Sequence, residues 1–227
     1  MKNYCIQCIL LFVKFLSFSQ TFDQKIEDLI NENLDETIEL RHRFHQNAEL
    51  SNREFKTAER ITEELKKIVY EPMTGIAKTG VVAILNPGKP GPVVGLRADI
   101  DALPVKERAE IPWASKMKGV YNGEEVPVMH ACGHDMHTAI LLAAAKILYD
   151  IKDEIPGQVK FIFQPAEEGA PPGEEGGAEL MVKEGVLKNP DVDAIFGLHV
   201  WSGLYAGQVY LRPCLLYTSD AADEFMG

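Results

Sequence analysis

Four short segments of the sequence carry side chains that can bind a metal ion or move a proton. They are Asp99 with Asp101, the run from His130 to His137 (HACGHDMH), Glu167 with Glu168, and His199. Thiolate, imidazole and carboxylate groups are ligands that suit zinc and, less tightly, manganese or cobalt. A carboxylate beside such an ion can take a proton from a water that the ion has activated. These residue types therefore indicate metal-assisted hydrolysis.

The spacing within two of these segments supports that interpretation. Cys132 and His134 lie two residues apart, and in an extended loop this spacing directs both side chains to the same side, while Gly133 lets the backbone approach closely. Glu167 and Glu168 are adjacent, so that one can bind a metal while the other acts as a general base. Taken singly, a packed core thiol and a solvated pair of glutamates are the ordinary interpretations. Taken together, the cysteine, the histidine and the two glutamates favour a metal site.

The elements that must position these side chains alternate between helix and strand. Apolar residues recur on one helical face from residue 24 to about residue 47, at Ile26, Ile30, Leu34 and Ile38. Ser51 with Glu54 forms a capping-box pattern that predicts a second helix, with Phe55 opening its buried stripe. Further helices are predicted over residues 138–152 and near residues 178–184.

Four strands are predicted between the helices. Residues 80–85 and 93–99 are predicted to be adjacent strands, residues 159–164 form a third, and residues 194–200 form a buried fourth. Residues 104–129 are predicted to be irregular. Alternation of this kind predicts an α/β domain whose helices cover a mostly parallel sheet. Ligands bind outside the carboxyl ends of strands in such sheets, which is where the polar residues cluster.

Four segments of the sequence resemble those of a known family. The segments LRADIDALP (96–104), MHACGHDMH (129–137), FQPAEEG (163–169) and GLHV (197–200) resemble the metallopeptidase family of aminoacylases and carboxypeptidase G. The most similar branch contains the hippurate and auxin-conjugate amidohydrolases, and the resemblance extends from about residue 41 to residue 212. It implies a three-layer sandwich with a mostly parallel central sheet flanked by helices. It also implies hydrolysis of the amide bond of N-acyl amino acids or similar conjugates.

The resemblance also implies roles for individual residues. Two divalent ions (zinc, manganese, cobalt or nickel) would be held by Cys132, His134, Glu168 and His199. Cys132 would take the bridging position that a carboxylate holds in other branches, and Glu167 would be the general base. Asp99 would orient a metal-bound histidine, with Asp101 as the alternative. Ala48 departs from the branch, which usually has proline there, and this affects the end of a helix rather than the chemistry.

Other polar residues are given simpler interpretations. His42 and His45 are expected to be surface or hydrogen-bonded residues, because no second type of ligand is near them in the sequence. His130 and His137 are expected to hydrogen-bond a neighbour or to line the pocket. Glu174 and Glu175 are expected to be an exposed pair of loop charges. Two other functions stay open: a dipeptidase or carboxypeptidase that uses the same site, and a catalytically silent metal-binding fragment.

Composition and missing motifs exclude other classes. The chain has 227 residues, of which 46% are hydrophobic and 25% charged, the balance of a soluble globular protein. Its formal net charge of −11 argues against a nucleic-acid partner, because phosphate binding depends on clustered Lys and Arg. The GxGxxG, P-loop, GxSxG and HExxH patterns are absent. The expected partner is a small N-acyl amino acid or peptide substrate.

The two ends of the chain are expected to lie outside the catalytic domain. Residues 1–19 resemble a signal peptide, which predicts an exported, periplasmic or extracellular protein with no membrane attachment after cleavage. Cleavage would remove Cys5 and Cys8. Residues 214–227 include the run CLLYTSDAADE, which resembles translated sequencing-library adapter and is expected to be non-native. With Cys214 excluded, Cys132 is the lone thiol of the mature domain.

Residues 20–213 would then be the N-terminal portion of the metal-dependent catalytic domain. Members of the family continue into a smaller lid domain that pairs subunits, and then return to supply a last histidine ligand. The chain is therefore expected to be a truncated catalytic domain whose parent protein is a homodimer. Because a sheet that lacks strands exposes an edge and apolar helix faces, little catalysis is expected from these residues alone.

Overall fold

The computed structural model describes residues 21–211 of the chain. The signal peptide predicted at residues 1–19 and the non-native tail predicted at residues 214–227 lie outside this range. The helices are α1 (Phe22–Gln46), α2 (Phe55–Lys67), α3 (His134–Asp150) and α4 (Gly177–Lys183). The strands are β1 (Met73–Ile76), β2 (Gly80–Leu85), β3 (Val93–Asp99), β4 (Lys118–Tyr121), β5 (Glu124–Pro127), β6 (Gln158–Gln164) and β7 (Ala194–Gly197).

The chain divides into two compact units, the first ending at Asn33 and the second beginning at Leu34. The described part of the first unit is almost entirely helical, and within it the Asn33 side-chain amide donates a hydrogen bond to the Leu29 carbonyl at 2.7 Å. The second unit contains the rest of α1 and every other described element. Among residues 21–211, no helix is long and apolar enough to cross a bilayer.

A five-stranded sheet with the order β1-β2-β6-β3-β7 forms the centre of the second unit. β6 pairs in parallel with β3, β3 pairs in parallel with β7, and only β2 runs against the other four strands. The predicted mostly parallel sheet is therefore confirmed. The predicted adjacency of β2 and β3 is wrong, because β6 lies between them. A strand that enters after the α3 crossover can insert between two strands that are close in sequence, and local patterns do not reveal this.

Helices cover both faces of the sheet, as expected for a three-layer sandwich. On one face, apolar residues of α2 and α3 pack with β2, β3 and β6 around Ile61, Leu142 and Phe161. On the other face, Met181 of α4 packs against Val82 and Ile162. These side chains are almost fully buried, which makes their burial the main stabilising contribution to this unit.

The register of the parallel pair determines where the polar segments meet. Asp99 at the end of β3 lies opposite Gln164 at the end of β6, and the Ile100 amide donates to the Gln164 carbonyl at 3.0 Å. Both strands therefore end at the same level. The chain that follows each strand, Ile100–Asp101 in one case and Pro165–Glu168 in the other, leaves the sheet at one shared edge.

The capping box predicted at Ser51 and Glu54 is wrong. α2 begins at Phe55, and neither of these side chains caps it. The Glu49 carboxylate does so instead, accepting hydrogen bonds from the Thr57 amide at 2.8 Å and the Lys56 amide at 3.3 Å. Ser51 and Glu54 are buried and face the candidate site, which gives their spacing a different meaning.

Four other local predictions also need correction. Phe55, predicted to open a buried stripe, is 62% exposed, and Leu34 and Ile38 of the predicted apolar face of α1 are likewise exposed. β7 was expected to be a buried strand, but it is the exposed edge of the sheet. The region 104–129, expected to be irregular, contains the β4–β5 hairpin. Its turn is Asn122-Gly123, with φ of 51° and 83°, the strongest short sequence signal for a two-residue hairpin.

Candidate metal centre

Donor side chains from four segments converge at the shared edge of the sheet. Cys132, His134 and Glu168 each place one ligand atom within 4.8 Å of the others. A second group with the same spacing consists of Asp99, His134, His137 and His199. Five of the six residues predicted for the site from the sequence belong to these two groups, and Glu167 lies beside them, with Oε2 3.7 Å from His134 Nε2. The side chain of His134 belongs to both groups.

The ring of His134 has a defined tautomer. Its Nδ1 lies 2.9 Å from the Asp101 backbone carbonyl, which can only accept, so Nδ1 carries a hydrogen and donates it. The same nitrogen is 3.2 Å from the Asp101 carboxylate. Nε2 is buried and has no hydrogen-bond partner. It therefore faces the cluster as the free coordinating atom of the ring.

The surroundings of this Nε2 atom favour a cation. It lies 3.7 Å from one carboxylate oxygen of each of Asp99, Glu167 and Glu168. Burial lowers the pKa of His134, but Asp101, Cys132 and Asp99 together raise it to about 11. Glu168 Oε1, one of the three oxygens, is also buried without a partner. Surroundings that stabilise a positive charge on the imidazole this strongly also stabilise a divalent ion at the same place. The donors present therefore suit a metal.

Asp101 connects several parts of the site. Besides His134, its carboxylate accepts hydrogen bonds from Ser51 Oγ at 2.7 Å and from the Glu168 amide at 3.0 Å. Burial raises the pKa of Asp101, but its hydrogen bonds and the nearby His134 lower it below its usual value. Asp99 was the first choice for orienting a metal-bound histidine, with Asp101 as the alternative. For His134, Asp101 makes this contact, at Nδ1.

Asp99 orients His137 instead. His137 Nε2 accepts a hydrogen bond from the Val200 amide at 3.0 Å, so its Nδ1 carries the hydrogen and donates to Asp99 Oδ1 at 2.6 Å. Arg97 donates to the other Asp99 oxygen at 2.8 Å. The pKa of Asp99 stays well below its usual range, because these contacts outweigh its burial. His137 thus hydrogen-bonds its neighbours, as expected, and it anchors the chain next to His199.

The segment before α3 turns sharply at Gly133. This residue has φ of +92°, and a Cβ placed on it would lie 2.5 Å from Val200 Cγ2. Cys132 and His134 therefore converge across a left-handed turn rather than along the predicted extended loop. Cys132 Sγ lies 3.5 Å from His199 Nε2. His134 lowers the pKa of Cys132, but burial and Glu168 raise it above its usual value, so the thiol needs a bound cation to ionise readily.

A strained turn presents the two glutamates. Ala166 has φ of +48°, which is uncommon for a residue with a side chain, and its amide donates to the Glu54 carboxylate at 2.8 Å. Glu54 also accepts from Thr79 Oγ1 at 2.7 Å and is fully buried. Burial raises the pKa of Glu167 to about 7, within the range of an effective general base. Burial also raises the pKa of Glu168.

Sequence reasoning missed two residues that support this turn. Ser51 donates a hydrogen bond to Asp101, and Glu54 accepts one from the Ala166 amide. Both residues therefore support the loop that carries the two glutamates. The signal was present as the Ser-x-x-Glu spacing, but it was assigned to helix capping. Of the histidines, His45 is buried and hydrogen-bonded to Asp135 and Glu107, as expected of a satisfied residue. His130 is buried with neither ring nitrogen bonded.

The fold and this cluster define an α/β protein with a candidate metal centre at the carboxyl edge of a parallel sheet. The sequence profile of the peptidase family M20/M25/M40 matches residues 95–220. The chain belongs to this family, which confirms the resemblance noted from the four motifs.

Individual relatives agree with this assignment. The chain is 42% identical over 200 residues to thermostable carboxypeptidase 2 of Saccharolobus solfataricus, covering 87% of this chain and 48% of the relative. It is 42% identical to the N-acyl-L-amino acid amidohydrolase of Geobacillus stearothermophilus, covering 82% and 46%. The crystal structure of the Bacillus subtilis YXEP protein, a dinuclear metal-binding peptidase, matches with a TM-score of 0.64 at 40% identity, covering 73% and 42%. The chain spans about half the length of the relatives it matches.

Proposed function

We propose that this chain is part of a metal-dependent amidohydrolase that cleaves the amide bond of N-acylated amino acids or similar small conjugates. The observation that carries the proposal is the buried, unpartnered Nε2 of His134, which faces three carboxylate oxygens at 3.7 Å beside the Cys132 thiol. The similarity to an N-acyl-L-amino acid amidohydrolase supports the substrate class. The similarity to a carboxypeptidase keeps peptides as the second class to be tested.

Two divalent ions would be held by Cys132, His134, Glu168 and His199, with zinc, manganese, cobalt or nickel as candidates. The thiol of Cys132 would help to hold both ions, because its sulfur lies near ligand atoms of both groups. Bound there, such ions supply Lewis acidity, which makes a water a better nucleophile near neutral pH. The B. subtilis relative described as dinuclear supports the number of ions.

The other work falls to the side chains of the chain itself. Glu167 accepts the proton that the attacking water loses as its oxygen bonds to the amide carbon. When the carbon–nitrogen bond breaks, the same carboxyl group delivers that proton to the leaving nitrogen, which departs as an amine. A pKa of about 7 lets Glu167 act in both directions near neutral pH. Asp101 keeps His134 in the tautomer that leaves Nε2 free.

Removal of metal should abolish the activity. In the longest natural protein that contains this sequence, treatment with a chelator is expected to stop hydrolysis of N-acetyl and N-benzoyl amino acids, and added zinc, manganese, cobalt or nickel should restore it. Steady-state rates on these substrates and on matched dipeptides separate the amidohydrolase from the peptidase. Hydrolysis that survives complete removal of metal would contradict the proposal.

The 227-residue chain by itself should bind a divalent ion but show little turnover, because it covers only about half of its relatives. Titration with Co²⁺ should produce a thiolate-to-metal absorption band, because Cys132 lies among the proposed ligands. Cys132→Ser should lose that band. Robust turnover by the purified chain would overturn this expectation, and metal binding without activity in any longer form would favour the silent alternative.

We also propose that residues 1–19 are removed on export and that the longer protein is a homodimer. The positively charged start and the apolar run of the N-terminus support the first point. Expression in a bacterial host should release a protein whose intact mass corresponds to a chain that begins at Gln20. A mature protein that retains Met1 in the cytoplasm would exclude export.

A further inference from the structure

A buried cluster of four charged side chains lies at the first turn of α3. Arg41 and His45 extend to it from α1, Glu107 comes from the loop that precedes β4, and Asp135 belongs to α3. The side chains of His45 and Asp135 are 6% and 2% exposed, and that of Glu107 is 10% exposed. These four residues, here called the His45 cluster, are not proposed metal ligands. Asp135, however, directly follows His134 in the chain.

The ring of His45 joins two carboxylates. Its Nδ1 lies 3.0 Å from Asp135 Oδ2, and its Nε2 lies 2.7 Å from Glu107 Oε2. An ionised carboxylate can only accept a hydrogen bond, so both ring nitrogens carry a hydrogen and the imidazole is positively charged. The hydrogen bond with Asp135 raises the pKa of His45 above its usual value despite burial, in agreement with this charge. Arg41 Nε donates to the same Asp135 oxygen at 3.1 Å, so two cations of α1 hold Asp135.

The first turn of α3 is held at two points. At the end of β3, the Asp99 carboxylate accepts from His137 Nδ1 at 2.6 Å, and the Asp99 carbonyl accepts from Thr138 Oγ1 at 3.1 Å. Asp135 supplies the second point, toward α1. Successive residues of an α-helix are rotated by about 100°, so two such points fix the rotation of the turn about its axis. That rotation determines where His134, the first residue of α3, directs its ring.

The second carboxylate connects the His45 cluster to the chain that carries Asp101. Glu107 comes shortly after Asp101, and its Oε1 accepts hydrogen bonds from two amides of its own loop at 2.9 and 2.8 Å. The carbonyl of Asp101 accepts the Nδ1 hydrogen of His134. The two segments that meet at this contact are therefore joined a second time, by the ring of His45. This second link reinforces the contact that leaves His134 Nε2 free for a metal.

We propose that His45 is a positioning residue of the metal centre. Together with Arg41, it fixes the first turn of α3 and the Glu107 loop in the arrangement that directs His134 Nε2 at the ions. It acts through Asp135 and Glu107 rather than by contact with an ion or a substrate. The inference rests on the proposed function, because its effect is measured at the metal centre.

A purely electrostatic role for His45 predicts the opposite result. Its imidazolium is a positive charge near the proposed ions, so its removal would reduce repulsion and tighten the binding of a divalent ion. Loss of a positioning contact instead weakens binding, and changes to such outer contacts usually cost about 10- to 100-fold in metal affinity. The sign of the change therefore distinguishes the two roles.

Replacement of His45 by glutamine tests the positioning role in the 227-residue chain. Glutamine is uncharged and cannot reproduce the two separate donor positions of the ring. We expect the affinity for Co²⁺ to fall about tenfold or more, and the visible absorption bands of bound Co²⁺, which report ligand geometry, to change. His42→Gln is the matched control, because His42 lies on the same helix but stacks on Trp113, with ring centroids 3.7 Å apart. This control should bind Co²⁺ as the wild type does.

Arg41→Gln provides a test that does not depend on the folding of the His45 variant. The Arg41 side chain is 34% exposed, so its replacement should disturb the fold less. It should weaken Co²⁺ binding in the same direction by a smaller factor. Asp135→Asn should weaken binding as well, and adding Arg41→Gln to it should cause little further loss, because the two act through one contact. Urea unfolding establishes that each variant compared is folded.

Steady-state kinetics of the longest natural form at saturating metal give an independent measurement. His45→Gln should lower kcat about tenfold while KM changes little, because the groups that bind substrate are untouched. Unchanged Co²⁺ affinity and spectrum in folded His45→Gln and Arg41→Gln, or tighter binding, would overturn the inference while the proposed function stands. If the wild-type chain binds no Co²⁺, the metal centre of the proposed function fails, and this inference fails with it.

Discussion

Replacement of Glu167 by glutamine is expected to lower kcat of the metal-loaded, full-length protein by about 10²- to 10⁴-fold, the usual contribution of a general base. Glutamine keeps the shape of the side chain but cannot accept the proton of the attacking water. Burial raises the pKa of Glu167 to about 7, so the native carboxylate is suited to this exchange. Because Glu167 is proposed as the base and not as a ligand, Co²⁺ binding should change little. Steady-state kinetics and Co²⁺ titration on the same preparation measure both properties.

Two further variants make this result specific. Glu168→Gln should lose metal binding and activity together, because its carboxylate belongs to the cluster with Cys132 and His134. Glu175→Gln, an exposed carboxylate on the same loop, should keep both. If Glu167→Gln retains near-normal kcat, Glu167 is not the base. If it loses metal as Glu168→Gln does, the two glutamates do not divide the roles as proposed.

The residues of the cluster could be predicted from the sequence, because donor types and short motifs can be recognised without knowledge of the fold. Cys132, His134, Glu168 and His199 do meet at one edge of the sheet with Asp99, and Asp101 contacts His134 there. The relation between strand order and chain order was less accessible. β6 inserts between β2 and β3, and only long-range pairing, absent from any local pattern, determines this.

The two aspartates show where local reasoning ends. Asp99 is the last residue of β3 and Asp101 comes two residues later, so their side chains point to similar places, and either could reach a histidine in the next segment. The choice depends on where α3 begins. Because α3 starts at His134, four residues before the predicted start, His134 and His137 lie one turn apart and contact different carboxylates. A helix boundary, the least certain feature of a sequence-based prediction, thus determines which aspartate orients which ring.

The Ser51 to Glu54 segment was misassigned for a similar reason. A Ser-x-x-Glu spacing before an apolar run usually caps a helix, but a nearby carboxylate that is better placed can take over that role. Glu49 does so here, which leaves Ser51 and Glu54 to support the turn that presents Glu167 and Glu168. Tertiary contacts across more than 100 residues, such as the one between Glu54 and Ala166, have no local signature.

The pH dependence of the free energy of unfolding should reveal how Glu54 supports the turn that presents Glu167. Burial raises the pKa of Glu54 from 4.5 to about 7, with a further contribution from Asp101. The folded chain therefore binds a proton more tightly than the unfolded chain does. This contribution to stability is fully present below pH 4.5, decreases as the pH rises, and is lost above about pH 7. A shift of this size corresponds to roughly 3 kcal/mol in the free energy of unfolding.

Glu54→Gln isolates this contribution, because glutamine has a similar shape and does not titrate. Urea unfolding of both chains in the presence of chelator, from pH 4.5 to pH 8, should show the wild type losing about 3 kcal/mol relative to the variant. Glu179→Gln on α4, a carboxylate that is 81% exposed, should instead follow the wild type at every pH. A constant difference between wild type and Glu54→Gln would mean that Glu54 stays ionised when buried. The turn that presents Glu167 would then be supported by a full negative charge, and its amide contact at Ala166 would be correspondingly stronger.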